Sequence, residues 1–223
     1  FRNEVNLCSE RKVLGVSCEE YLQNGAMAEY LSLPERIVHK IDDNIDFDDA
    51  ALIEPASVAY HAVGISEWQP NDKVLVIGAG VIGLTIIQAL KIRGCKEIIS
   101  VDVVQERLKV AKYYGADTII NTKNKSDLNY FKKNYNSQID LAFEAVGISE
   151  TIDLGINCVS KKGRLILVGN IAPYVKVSLQ TIVTRELKLI GSCAIAGEYP
   201  LVIKHLSQNK LKFDKIITAK VPL

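Results

Sequence analysis

The sequence predicts an α/β fold in which a doubly wound parallel sheet carries helices on both faces. From about residue 57 onward, short apolar runs of strand type alternate with stretches of helical spacing, which is the mark of βαβ units. Glycines punctuate those runs at positions 78, 94, 115, 147, 169 and 191, where such a chain must turn sharply. One run, Lys73-Val74-Leu75-Val76-Ile77, passes straight into Gly78-Ala79-Gly80-Val81-Ile82-Gly83 and then into helical spacing.

Each glycine of that Gly-x-Gly-x-x-Gly run has a mechanical task. Gly78 makes the tight turn, Gly80 lets the backbone approach a pyrophosphate, and Gly83 lets the helix pack closely on the strand. The free N–H groups of the new helix, those of Val81 and Ile82 among them, would face the phosphates. Gly83, Ile87 and Leu90 share one helix face, so an apolar stripe can lie on the sheet. Gly94 closes the helix, and Glu97-Ile98-Ile99-Ser100-Val101-Asp102 reads as a second buried strand ending in an acid. Asp102 stands 24 residues after Gly78, near the ~20 expected of the residue that holds the adenosine ribose. Together these features predict a Rossmann dinucleotide site; glycines that serve only helix packing are the plainer alternative. A carboxylate at Asp102 accepts ribose hydroxyls and repels a 2′-phosphate, so the expected cofactor is NAD rather than NADP.

The remaining elements follow in order. Asn24-Gly25 is a turn signal, and Ala28–Leu33 and Arg36–Ile41 are short strand candidates separated by Pro34. Asp46 reads as an N-cap with Asp49 three residues on. Gln105–Tyr114 is an amphipathic helix closed by Gly115, and Thr118–Asn121 a third strand. Lys123–Asn136 reads as a loop plus a solvated helix. Ile139–Glu144 is a fourth strand, Thr151–Val159 a helix, Gly163–Gly169 a fifth strand and Leu187–Gly191 a sixth. Ile216–Pro222 reads as a strand leaving this unit. Ligands of such sheets lie over the carboxyl ends of the strands, so the backbone of Ala145, Val146, Val168 and Gly169 should face a bound nicotinamide. Ordinary strand-to-loop punctuation is the alternative there.

Composition narrows the classes. The chain has 223 residues, 48% hydrophobic, with a net charge of +1 and interspersed signs. That allows one sizeable core and suggests no nucleic-acid or membrane-surface partner. No apolar run reaches the ~18 residues of a membrane span. Five widely spaced cysteines, at 8, 18, 95, 158 and 193, argue against a disulfide framework and for a reducing, cytoplasmic setting. Cys18, Cys95, Cys158 and Cys193 read as small buried or semi-buried fillers. His61 reads as a packing residue, and His39 and His205 as surface residues.

The order Gly25-Ala26-Met27-Ala28-Glu29-Tyr30, then Ala50-Ala51-Leu52-Ile53-Glu54-Pro55-Ala56-Ser57-Val58-Ala59-Tyr60-His61-Ala62, then Gly78–Leu84 resembles the zinc-dependent medium-chain dehydrogenases. The polyol branch, with sorbitol, galactitol-phosphate and threonine dehydrogenases, is most similar. The resemblance implies three segments. Residues 1–56 would be the residual part of a β-rich GroES-like catalytic domain, 57–200 the dinucleotide-binding domain, and 201–223 the start of the return to the catalytic domain. It also implies oxidation of a secondary alcohol, a polyol or related small hydroxy compound, to a ketone by hydride transfer to NAD. In that family zinc binds the substrate oxygen as a Lewis acid. Homo-oligomers are implied as well.

By the same resemblance, Glu54 is the fourth ligand of the catalytic zinc or holds its water, Cys8 is the last ligand of a structural zinc, and Arg107 lies beside the adenosine. Each has a plainer reading: a surface acid before Pro55, a free thiol, and a solvated helix arginine. The family's N-terminal cysteine, its Gly-His-Glu, and three of the four clustered cysteines have no counterpart here. One cysteine cannot make a four-coordinate site. The expectation is therefore a fragment, with a naturally shortened protein or a non-catalytic dinucleotide-binding module as alternatives. Short-chain reductases need Tyr-x-x-x-Lys, and no tyrosine here has a lysine four residues on.

Overall fold

The computed structural model describes residues 4–16 and 18–221. Its centre is a six-stranded, wholly parallel sheet: β1 (Lys73–Ile77), β2 (Glu97–Asp102), β3 (Thr118–Asn121), β4 (Ile139–Glu144), β5 (Val159–Leu167) and β6 (Lys188–Gly191). The spatial order is β3-β2-β1-β4-β5-β6, the doubly wound order of the Rossmann fold. β1 pairs with β2 from Lys73↔Glu97 to Ile77↔Val101, and with β4 from Val74↔Leu141 to Ile77↔Glu144. The chain builds outward from β1 in one direction and then crosses back to β4, so a crevice opens between the carboxyl ends of these two strands.

Helices cover both faces: α1 (Ile53–Ile65), α2 (Val81–Ile92), α3 (Gln105–Tyr113), α4 (Lys125–Tyr135), α5 (Ser149–Cys158), α6 (Leu179–Arg185) and α7 (Tyr199–Ser207). Alternation along the strands divides the core in two. Val74, Val76, Ile98, Leu141, Phe143 and Ile166 pack with α1, α2 and α7. Leu75, Ile77, Ile99, Val101, Ala142 and Leu165 pack with α4 and α5 on the other face. Gly94 and Gly115 end α2 and α3 at φ 89° and 110°, the left-handed closure that glycine adopts most easily.

Four expectations change. Among the described residues, 28–33 and 36–41 form no strand; Glu35–Ile37 is instead a 3-10 turn. Both stretches are largely exposed, with no neighbouring strand to complete their hydrogen bonds. Among the described residues, the one ladder before α1 is the two-residue parallel pair Val13–Leu14 with Leu22–Gln23. The segment 123–136 is mostly helix, and its buried Phe131 and Tyr135 make it a core element rather than a solvated one. Residues 216–221 form no strand, and Pro222 lies outside the described residues. Finally, 201–213 does not depart: Val202, Ile203, Leu206, Leu211 and Phe213 join the core beside α1 and α2. Gln88 on α2 pins that tail by exchanging hydrogen bonds with the backbone of Lys212, at 2.9 and 3.0 Å.

Candidate dinucleotide site

The strand order places the chain's special turns in one row over the carboxyl ends of the sheet. After β1, Gly78 turns at φ 95°, and its N–H donates to the Val101 carbonyl at 2.9 Å. A Cβ on Gly78 would stand 2.7 Å from Val146 Cγ2, and one on Gly83 would stand 1.8 Å from the Gly78 carbonyl oxygen. Both positions therefore exclude a side chain. A Cβ on Gly80, by contrast, would meet nothing within 4 Å. Gly80 is the N-cap of α2 and has no side chain to cap it, so the first N–H groups of the helix lack a side-chain partner. Gly80, Val81 and Ile82 are only partly buried.

Asp102, at the end of β2, is 8% exposed and ties two turns together. Its Oδ2 accepts from Ala79 N–H at 2.7 Å, and its Oδ1 from Val104 N–H at 2.8 Å. After β4, the fully buried Glu144 does similar work. Its carboxylate accepts from Val146 N–H and Gly147 N–H at 2.9 and 2.8 Å, and its carbonyl accepts from Val168 N–H and Gly169 N–H at 2.9 and 3.0 Å. The Ala145 N–H bonds Ile77. These backbone donors are thus consumed inside the protein, while the Ala145, Val146, Val168 and Gly169 carbonyls accept nothing from the described residues. Gly147 and Gly169 cross so closely that a Cβ on Gly169 would lie 2.2 Å from Gly147 N.

Two clefts include residues of these strand-end turns. An inner cleft of about 530 Å³ lies between Val58 of α1, residues 167–170 after β5, and residues 191–194 after β6. The Ser192 hydroxyl in its wall is buried and has no hydrogen-bond partner among the described residues. An outer cleft of about 660 Å³ includes Val103, Thr122, Ile148, Thr151 and Leu154. The outer cleft's lining runs from the ends of β2 and β3 to α5 after β4, so it reaches strand ends on both sides of β1. The sequence reading missed Val58, Ser192 and the outer-cleft residues. Val103, Thr122 and Ile148 follow the ends of β2, β3 and β4, so the strand-end rule could have found them.

Arg107 is exposed on α3 and makes no ion pair or hydrogen bond with the described residues. Glu54 is exposed in the first turn of α1, one helical turn before Val58 and so on its face. Partial loss of water around Glu54 raises its carboxyl pKa. Burial, and then the Glu54 charge, raise the Tyr199 hydroxyl pKa. Cys8 is an exposed thiol. Among the described residues, no group of three or more His, Cys, Asp or Glu is arranged to hold a metal. The residues present therefore do not fit a zinc site, which needs three or four ligands in tetrahedral array.

Among the other side chains, Cys18, Cys193 and His205 depart from expectation, while Cys95, Cys158 and His39 meet it. Cys18 and Cys193 are exposed on loops, whereas Cys95 and Cys158 are buried, and burial pushes the Cys158 thiol up to about 12. His205 is partly buried, with Nδ1 2.7 Å from the Tyr60 hydroxyl, because α7 packs on α1. His39 is exposed and stacks on Tyr199 at 5.0 Å.

Residues 81–208 match the family model described as zinc-binding dehydrogenase, which is more than half of the chain. The chain belongs to the zinc-binding dehydrogenase family. Within it, the chain is 31% identical to L-idonate 5-dehydrogenase of Vitis vinifera over 96% of its own length and 59% of that protein's. It is 30% identical to sorbitol dehydrogenase of Arabidopsis thaliana with the same coverage. Among solved structures, an alcohol dehydrogenase (rspB) of Escherichia coli CFT073 in complex with NADH superposes with a TM-score of 0.82 at 32% identity. That match covers 93% of this chain and 60% of the other. The chain thus spans about three fifths of the length of these relatives.

Proposed function

We propose that this chain is the NAD-binding part of a zinc-type oxidoreductase. In the proposed reaction, hydride passes from a secondary alcohol, a polyol or related small hydroxy compound, to NAD and leaves a ketone. The observation that carries the reading is the row of turns at the β1/β4 crevice. It holds the open Gly80 N-terminus of α2 and the doubly tethered Asp102, with one cleft reaching Val103 beside Asp102 and another at the ends of β5 and β6. Such a row fits a dinucleotide: pyrophosphate on the Gly80–Gly83 turn, adenosine ribose at Asp102, adenine in the outer cleft, nicotinamide in the inner one. The open Val168 carbonyl supplies an acceptor for a carboxamide N–H, and the buried Ser192 hydroxyl, without a partner among the described residues, is in the same wall. The NADH held by the Escherichia coli relative supports the same cofactor.

NAD supplies the hydride acceptor; the chain's own contribution is to fix its distance and face. No step is assigned to zinc, since the described residues do not assemble its site. That absence of clustered ligands favours a second reading for the chain by itself, a dinucleotide-binding module without catalysis. Glu54, on the Val58 face of α1, is proposed to act at the substrate end of the inner cleft. Arg107 is proposed to sit near the adenosine, and Cys8 to bind metal only with further cysteines.

The five free cysteines support a reducing, cytoplasmic setting. The open edge of β6 and the exposed Ile171, Leu179 and Val183 near it support self-association. The test is a dehydrogenase assay on two proteins, the 223-residue chain and a version joined to an N-terminal segment carrying the family's Cys and Gly-His-Glu. The extended protein should oxidise a secondary alcohol, with a polyol tried first, and the shorter one should not. Robust activity in the shorter chain would contradict the proposal.

A further inference from the structure

The wall of the inner cleft formed by residues 191–194 continues through a loop to Glu198. Ala194 and Gly197 in that loop take φ 53° and 108°. A non-glycine residue at positive φ persists only where its surroundings hold it. Three side chains hold this loop. Ala196 N–H donates to Glu198 Oε2 at 2.6 Å, and Glu198 Oε1 lies 2.8 Å from His61 Nδ1. Asn6 Nδ2 lies 3.3 Å from His61 Nε2 and donates to the Cys193 carbonyl at 2.8 Å. His61 and Asn6 are 8% and 7% exposed.

The partners assign the protons. A carbonyl only accepts, so the Asn6 amide must present its NH₂ end to Cys193, and its second hydrogen is then directed at His61 Nε2. Nε2 must therefore accept. The Glu198 carboxylate accepts as well, so Nδ1 carries the proton. The opposite tautomer would set a lone pair against the carboxylate and an N–H against the NH₂ group. Only the neutral Nδ1–H form satisfies every contact in the chain from Asn6 to Glu198.

We infer that His61, held as the Nδ1–H tautomer between Glu198 and Asn6, is a positioning residue. It fixes the Ser192–Ala194 wall and thereby the affinity for the nicotinamide end of the dinucleotide. The network pins the Cys193 carbonyl, and the next residue back, Ser192, belongs to the cleft wall and carries a buried hydroxyl unpartnered among the described residues. The inference rests on the dinucleotide reading above for the identity of the ligand, though not for the state of the ring.

Two measurements test it on the whole 223-residue chain. The first is a long-range ¹H–¹⁵N imidazole spectrum at neutral pH, with hydrogen exchange at the amides of residues 192–196. The His61 ring should show a protonated Nδ1 and a bare Nε2, and Glu198→Gln and Asn6→Ala should each speed exchange in the loop. A protonated Nε2 in the wild-type chain, or loop exchange unaltered in both variants, would overturn the inference. The second measurement compares NADH with ADP-ribose, which lacks the nicotinamide. Each variant should bind NADH about five- to tenfold more weakly, the scale of one lost hydrogen bond, and ADP-ribose within twofold of wild type. Equal losses for both ligands would mark a general structural role and overturn it. Glu198→Gln keeps the side-chain volume on a partly exposed residue, so it guards against a variant that merely fails to fold. If the wild-type chain bound neither ligand, the dinucleotide reading and the affinity claim would both fail, while the ring spectrum would still decide the tautomer.

Discussion

Asp102 spends both carboxylate oxygens on backbone N–H groups, one in the glycine turn and one in the turn after β2. Each oxygen keeps a second lone pair for a ribose hydroxyl, so the residue can order the cradle and read the sugar together. An amide in its place has a single acceptor, and its NH₂ would face a backbone donor. Asp102→Asn should therefore lower NAD affinity by about 10- to 100-fold, the usual scale for hydrogen bonds to a charged group. It should also narrow the preference for NAD over NADP. At ~4 Å and an effective dielectric of ~20, the carboxylate repels a 2′-phosphate by about 4 kcal/mol per unit charge before screening. Paired titrations with NAD and NADP check this, and an unchanged NAD affinity would contradict it. Glu54 is the opposite case. Its carboxylate lies outside the glycine cradle, so Glu54→Ala in the extended protein should reduce turnover about 10–100-fold with little effect on NAD binding. Turnover equal to wild type would make Glu54 a surface acid. The row of glycines and Asp102 was legible in the sequence because each occupies a fixed place between strand and helix. The consumption of the Val146 and Val168 N–H groups by Glu144 was not, because it depends on a turn crossing between β4 and β5.

At the scale of elements, legibility followed local periodicity. The six strands and helices α2 to α5 announced themselves by apolar runs and glycine stops, whereas α6, between β5 and β6, did not. The two strand candidates before Asp46 did not form, because a short β run has no stability without a neighbour to pair with. The Asp46 cap did form, with Oδ1 accepting from Asp49 N–H at 2.7 Å. Helix α7 was missed because its face is completed by α1, far away in sequence; Pro200 near its start was the available signal. The packing of α2 on β1 gives the sharpest element-level prediction. A Cβ on Gly83 would overlap the Gly78 carbonyl, so Gly83→Ala must push the helix off the strand. Overpacking of this kind costs about 1–3 kcal/mol. Denaturant unfolding should report that loss, together with weaker NAD binding from the displaced Gly80 turn. A variant as stable as wild type would show that the helix can shift freely.

Over the whole molecule, the described residues bring the strand-end turns together in one row and leave the candidate metal ligands dispersed. The sheet's two faces are covered, its carboxyl edge carries the turns and clefts, and Cys8 and Glu54 stand without further ligands. Elemental analysis of the purified chain should accordingly find far less than one zinc per molecule after dialysis against a mild chelator. One tightly held zinc per chain would mean that ligands come together in a way the described residues do not show. The most direct test of the central claim is a calorimetric titration of the 223-residue chain with NADH, with Asp102→Asn and NADPH in parallel. The account predicts saturable one-to-one binding of NADH, weaker binding of NADPH, and a loss of affinity for NADH in the variant. No binding of NADH by a folded chain, or tighter binding of NADPH than of NADH, would contradict it.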